Sequence, residues 1–333
     1  MFWAPVPPPE DATVPLATPP GQSTRRGQST PPGQSTRRGQ STRRGQSTPP
    51  GQSTPPGLPT GRETTGRLVL AAVILVVGLL VQNPLAYAVV IGLVVVTPLE
   101  KLMPRRRGQR VLRAGVAADL IHAVVSLGVF GLLTVVPMAI LGPIVPEIGP
   151  VADGLASLPL VAQAVIGLVV FDFMGYVSHR LSHEVPFLWR FHRVHHTSEE
   201  LDWLAGARVH PLPGLQDGLL RAIPALLLGV SDDDAGWLSV IVAVTALFTH
   251  ANVSWRMPRL SRWWATPHFH HWHHADEPEA INTNYAGLLP MWDRLFGTFH
   301  LPDRFPAAYG VAGSYSRGWL GQMADPFRRR TDA

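Results

Sequence analysis

The chain has no cysteine, and Lys101 is the single lysine among its 333 residues. Without thiols there are no disulfides, no iron-sulfur clusters and no thiolate ligands, so any metal must be held by nitrogen and oxygen donors. Charge is scarce too: charged residues make up 15% of the chain and hydrophobic residues 46%, a balance unusual for a soluble protein. With lysine nearly absent, the formal net charge of +5 is an arginine charge. It sits in the N-terminal region and at the ends of apolar blocks, which favours contact with anionic lipid headgroups over nucleic acid.

Apolar residues are also sparse in the first 61 positions, where GQSTRR or GQSTPP begins at Gly21, Gly27, Gly33, Gly39, Gly45 and Gly51. Such a segment has almost nothing to bury, so residues 1–61 are expected to be a disordered tail. No apolar core follows Met1 closely, unlike a secretory signal. Residues 62–323 then read as a membrane-embedded domain, with its catalytic part at 171–299, and residues 324–333 as a basic C-terminal tail.

The apolar residues are gathered in long blocks. Leu68 to Gln82 and Leu85 to Leu99 flank the helix-breaking pair Asn83-Pro84, which predicts a turn between two short spans. Arg62 and Arg67 precede this pair of runs, and Arg105, Arg106, Arg107 and Arg110 follow it, so both ends are expected on the cytoplasmic side. Further runs cover Val116 to Val145 and Leu158 to about Val177; a last block, Leu219 to Phe248, is interrupted at Ser231 to Asp234. The expected fold is therefore all-α, a multi-pass transmembrane bundle of about four spans with a cytosolic histidine-rich helical cap. The expected location is a bacterial plasma membrane, with the tail and the histidines on the cytoplasmic face.

Histidine is what the chain has in concentration. His179 and His183 lie in HRLSH, His192, His195 and His196 in HRVHH, and His268 to His274 in HFHHWHH. The last two share H-x-x-H-H, a pattern that random placement of 14 histidines would produce on the order of a few hundredths of a time. On a helix, positions i, i+3 and i+4 share a face, so each such box is predicted to aim three imidazoles at one point. The three boxes together offer His179, His183, His192, His195, His196, His270, His273 and His274. Eight imidazoles exceed the needs of one ion, which makes two metals the expectation. His268 and His271 lie off the stripe and stand equally as further ligands or as solvated neighbours, while His122 and His300 read as background.

Asp172, Tyr176, His179 and His183 are spaced by four, three and four, so one helical stripe carries all four. A carboxylate inside an apolar span is costly to bury, and Asp172 is expected to orient a histidine. Isolated His210 and His250 are possible additional ligands or supports for ligands.

Ordered agreement extends beyond histidine: D-F-x-x-Y-x-x-H-R-x-x-H from Asp172, W-x-F-H-x-x-H-H from Trp189 and F-H-x-W-H-H from Phe269, then Asn284-Tyr285 and the run Trp292 to Thr298. In these motifs, from about Phe171 to Phe299, the chain resembles the fatty acid hydroxylase and sterol desaturase superfamily of integral membrane di-iron oxygenases. The resemblance implies that the eight box histidines hold two irons and that O2 is a co-substrate. It implies no catalytic side chain beyond the metal centre, with Asp172, Tyr176, Glu184 and Asn284 in the layer around the ligands. One departure is at His210-Pro211, where Pro213 stands in a position that is commonly acidic in relatives. The implied reaction is hydroxylation or desaturation of a C–H bond in a lipid such as a sterol, fatty acyl chain or carotenoid. Electrons would come from a separate ferredoxin, cytochrome or reductase.

Two other classes compete. A zinc-dependent membrane hydrolase of the zincin type needs Glu directly after the first histidine of a five-residue box, and Arg180 stands there. A metal-binding transport protein would carry its ligands inside several spans rather than beyond their ends.

Overall fold

The computed structural model describes residues 84–110, 113–230 and 232–328, together with positions 76 and 79; the side chains of 84–85, 127–135 and 231–236 lie outside the description. The repeat tail, nearly all of the Leu68–Gln82 run and the last five residues therefore fall outside the described residues. Within them the fold is all-helical, with two isolated bridges, Pro104 to Val253 and Ala275 to Tyr309, in place of any strand.

Pro84 opens α1 (Pro84–Ile91), a position where the missing N–H of proline leaves no bond unmade. The chain continues without a break through a π-helical turn, Gly92–Val96, into α2 (Thr97–Leu102). Gly92 is required by a neighbour: a Cβ there would lie 2.5 Å from the Trp203 ring. The Trp203 indole N–H donates to Thr97 Oγ1 at 2.8 Å, and the Thr97 hydroxyl donates to the Gly92 carbonyl at 3.1 Å. Glu100 accepts from the backbone N–H groups of both Trp203 and Asn252, each at 2.9 Å. This first helical stretch thus anchors the two loops that follow the histidines at 195 and 250.

Helix α3 (Val116–Leu141) and the short α4 (Gly149–Ala156) precede α5 (Leu160–Glu184). Among the described residues α5 is the one helix long and apolar enough by length and composition to cross a membrane, with 17% of its most apolar window buried. Four spans were expected, and the fold carries this one candidate. Pro186 stops α5, since the residue before a proline is pushed out of the helical region; Val185 is extended, and α6 (Pro186–His196) starts at once. Such a tight turn folds α6 back on the end of α5.

The block from Leu219 to Phe248 divides into α7 (Pro211–Leu227) and α8 (Asp232–Thr249), of 17 and 18 residues, and the break falls where the aspartate run interrupts it. Helix α3 packs on α7, α7 on α5, and α1 on α8. Past α8 the chain runs irregularly to α9 (Pro267–His273), capped by Thr266, whose hydroxyl accepts from Phe269 N–H at 3.3 Å. Helices α10 (Met291–Phe296) and α11 (Trp319–Ala324) complete the order. The tail expected from 324 begins inside a docked segment: Asp325 accepts from Ser316 N–H and hydroxyl, each at 2.9 Å, and Phe327 packs on Phe191 and His210.

Candidate metal centre

Nine imidazoles meet in two adjoining groups: His179, His183, His192, His196 and His273 in one, and His195, His250, His270 and His274 in the other, with the ligand atoms of each within 4.8 Å of one another. Each H-x-x-H-H box is split between them, which corrects the expectation that one box aims at one point. The reason is helical geometry. At roughly 100° per residue, positions i and i+4 are about 40° apart, while i+3 and i+4 diverge by about 100°. His192 and His196 therefore stay together while His195 crosses to the second group, and His270 and His274 stay together while His273 crosses to the first. His195 and His196, adjacent in sequence, have rings 5.4 Å apart at 89° and form the seam between the groups.

The hydrogen bonds fix where the protons sit. His195 Nδ1 faces the Arg208 carbonyl at 3.1 Å and His250 Nδ1 faces the Ala246 carbonyl at 2.6 Å. A ring nitrogen facing a carbonyl must carry the proton, so in both rings Nε2 is a bare lone pair. Yet these two Nε2 atoms are 3.1 Å apart, and His270 and His274 Nε2 lie 3.1 and 3.0 Å from that of His250. Lone pairs converging in a buried site repel unless a cation lies between them. Two cis ligands at a metal–nitrogen bond of ~2.1 Å are separated by roughly 3.0 Å at a right angle and about 3.4 Å at the tetrahedral angle, which matches this spacing.

The five-membered group repeats the logic. His179 Nδ1 donates to the Tyr285 carbonyl at 2.7 Å and His273 Nδ1 to the Thr283 carbonyl at 2.8 Å, leaving both Nε2 atoms free. His179 Nε2 then stands 3.1 Å from His192 Nε2, while the buried Nε2 atoms of His183 and His273 have no partner. Burial, reinforced by neighbouring imidazoles, holds His192, His196, His270 and His274 well below the ordinary histidine range, and burial takes His250 down to about 4. The rings outside α5 are thus neutral at pH 7, the state in which imidazole binds metal.

His250 joins the second group as a full member. His210 joins neither: its Nδ1 accepts from Leu212 N–H at 3.2 Å and caps α7. His271 bonds the Tyr309 hydroxyl at 2.6 Å and His268 the Arg304 carbonyl at 2.8 Å, so neither joins a group, and both are buried rather than solvated. His122 bridges the Val209 carbonyl and Gln322.

The side chains expected around the ligands act at one remove. Asp172 holds no histidine: its Oδ2 accepts from Leu289 N–H at 3.0 Å and from the Trp292 indole at 3.1 Å, so it secures the segment that carries Tyr285. Asp293, which sequence reasoning gave no role, does the same from the other side, accepting from Tyr285 and Ala286 N–H at 2.8 Å each and from the Thr298 hydroxyl at 2.6 Å. Asn284, at φ 57°, joins the Phe269 carbonyl to both backbone groups of His300. The Tyr176 hydroxyl contacts Thr298 and accepts from Arg180, and Glu184 turns outward to pair with Arg180 at 2.8 Å. Tyr285 itself packs its fully buried ring against His179, His183 and His273, with a hydroxyl that has no partner among the described residues.

Gly206 is a further positioning device that sequence reasoning missed. A Cβ there would lie 2.8 Å from His250 Nδ1 and 3.1 Å from the Ala246 carbonyl to which that nitrogen donates. Gly206→Ala is expected to rotate His250 off its carbonyl and weaken metal binding by about 10-fold or more, the scale of losses on removing a ligand's support. Titration of the metal-free protein with a chelator-buffered metal measures this, and an unchanged affinity would refute it.

An all-helical frame with buried imidazole groups at the end of an apolar helix defines a histidine-box metal-binding protein. Residues 164–298 match the family described as fatty acid hydroxylase. Ornithine lipid hydroxylase OlsE of Rhizobium tropici is 39% identical over 173 residues, 52% of this chain and 52% of its own length. Alkylglycerol monooxygenase of Danio rerio is 32% identical over 142 residues, 41% of this chain and 30% of that protein. The cholesterol 25-hydroxylase-like protein of Danio rerio is 27% identical over 211 residues, covering 61% and 81%. The chain thus spans about half the length of the first of these relatives and under a third of the second. No solved structure matches it. Over its histidine-bearing part the chain is similar to members of the fatty acid hydroxylase family.

Proposed function

We propose that the protein is an O2-dependent membrane oxidoreductase that hydroxylates a C–H bond of a lipid, with one iron in each histidine group. The observation that carries this reading is the pair of adjoining, buried, all-imidazole groups whose lone pairs face one another. All three relatives are named for hydroxylation or monooxygenation of lipids, which favours hydroxylation over desaturation.

Bound iron would supply O2 activation and the oxidation of an unactivated C–H bond. The protein's part is orientation and exclusion of water. Backbone carbonyls at 208, 246, 283 and 285 fix the tautomers of His195, His250, His273 and His179 and turn their Nε2 atoms inward. Tyr285, fully buried against His179, His183 and His273, walls the five-histidine group from bulk water. A zinc hydrolase would need a carboxylate to deprotonate water, but both groups are purely imidazole and Glu184 faces away in its pair with Arg180. In this reading the chain is multi-pass, the histidines sit at the cytoplasmic surface, and a separate protein donates the electrons.

The test is metal analysis joined to lipid mass spectrometry. Purified protein should hold close to two irons per chain, and its expression should yield a lipid that gains one oxygen in an O2-dependent way. One zinc per chain with an unaltered lipid profile would overturn the proposal.

A further inference from the structure

A second surface, away from the histidine groups, has the composition of a lipid contact. The turn after α8 exposes Leu260 and Trp263, the latter at 66%, and α10 exposes Leu295 at 68% together with Phe296. The two pieces form one patch: the Arg294 guanidinium lies over the Trp263 ring at 5.1 Å, and Ala265 N–H donates to the Leu288 carbonyl at 2.8 Å. Arginines at 256, 259, 262 and 294 are all exposed around it, against one acidic partner, Asp303 on Arg256. Aromatic and aliphatic side chains interleaved with arginines are the make-up of a membrane interface, where rings enter the acyl boundary and guanidinium groups reach the phosphates.

The patch also lies at the right depth. Phe296 stacks at 6.2 Å on Phe173 and at 5.5 Å on Tyr176 of α5, and Trp292 lies 4.7 Å from Phe173. Phe173 is thirteen residues into α5, so at 1.5 Å per residue it lies about 20 Å from Leu160. The hydrocarbon layer is about 30 Å thick. With Leu160 at one boundary, Phe173 and α10 beside it stand roughly 10 Å short of the other, and His179 comes at that boundary. A helix whose outer face bears Leu295 cannot face bulk water at this depth.

We propose that the 257–264 turn and α10 form a wedge seated in the inner acyl–headgroup boundary of an anionic bilayer, so that a lipid chain passes beside it to reach the five-histidine group. The proposal rests on the membrane reading of α5, and it names the side from which the substrate enters.

The absence of cysteine makes the test clean. The full chain in lipid discs containing anionic lipid would carry one cysteine at a time, Trp263→Cys, Leu295→Cys, Val161→Cys on the outer half of α5 or Glu279→Cys on the exposed loop after α9, each spin-labelled. Labels at 263, 295 and 161 are expected to collide several-fold more with O2, relative to a water-soluble nickel chelate, than the label at 279. If 161 reads as lipid-exposed while 263 and 295 match 279, the wedge is refuted and the membrane reading stands. If 161 also matches 279, the membrane reading itself fails and takes the wedge with it. Dipolar broadening between labels at 295, the mark of a second copy covering the patch, would likewise refute it.

Discussion

His274→Ala is expected to leave about one iron per chain and lower lipid hydroxylation by at least roughly 1,000-fold, while the adjacent His273→Ala keeps more of its metal. The two neighbours belong to different groups. His274 is one of four imidazoles and His273 one of five, so their loss leaves three and four donors respectively. Three imidazoles hold a metal less firmly than four, and each His274 contact at 3.0 to 3.1 Å, to His250 and His270, is lost at once. Iron analysis and oxygen-uptake assays on the two purified variants decide it. If both variants lost the same share of iron, the assignment of adjacent histidines to separate groups would be wrong.

That division was not legible in the sequence, although its ingredients were. All eight box histidines read from spacing enter the two groups, because chance does not cluster imidazoles at helical intervals. The split of each box needed the partner helices: α6 folds back on α5 after Pro186, so His192 meets His179 across the turn, while His195 on the flank meets His250 from the end of α8. His250 has no neighbour in sequence to advertise it. Its signal is in Gly206, whose missing Cβ makes room for the ring.

The larger miss concerns what orients the ligands. Asp172 drew the role because a buried carboxylate is a conspicuous residue type, whereas the real partners of four histidines are backbone carbonyls. Every residue has a carbonyl, so no residue type marks those that matter. What the sequence does record is the second layer: Asp172, Asp293 and Asn284 are specified because they hold the 283–293 segment in place, and through it the carbonyls of Thr283 and Tyr285. The membrane reading met a similar limit. Hydropathy marks apolar blocks well, but the Leu219–Phe248 block resolves into two helices that pack on α3, α5 and α1, so apolarity there serves contacts between helices as well.

Asp119→Ala is expected to remove about 3–5 kcal/mol of stability. Asp119 is fully buried and pairs with two arginines, Arg113 at 2.7 Å and Arg208 at 2.5 Å, and both of these are buried as well. Arg113 retains Asp202, which it grips through two bonds of 2.6 Å, but Arg208 is left with the Thr197 hydroxyl as its remaining side-chain partner among the described residues. An unpaired guanidinium in that setting explains the size of the loss. Removing the stranded charge should therefore repair part of it: Asp119→Leu combined with Arg208→Met is expected to be less destabilised than Asp119→Leu alone, as a thermal or denaturant melt of the metal-free protein would show. The effect should reach the site, because the Arg208 carbonyl is what His195 donates to, so Asp119→Ala should also weaken metal binding even where the protein remains folded. Equal melts for the single and double variants would mean that Arg208 finds water or another partner once Asp119 is gone, and that the quartet does not tie the first turn of α3 to the second histidine box.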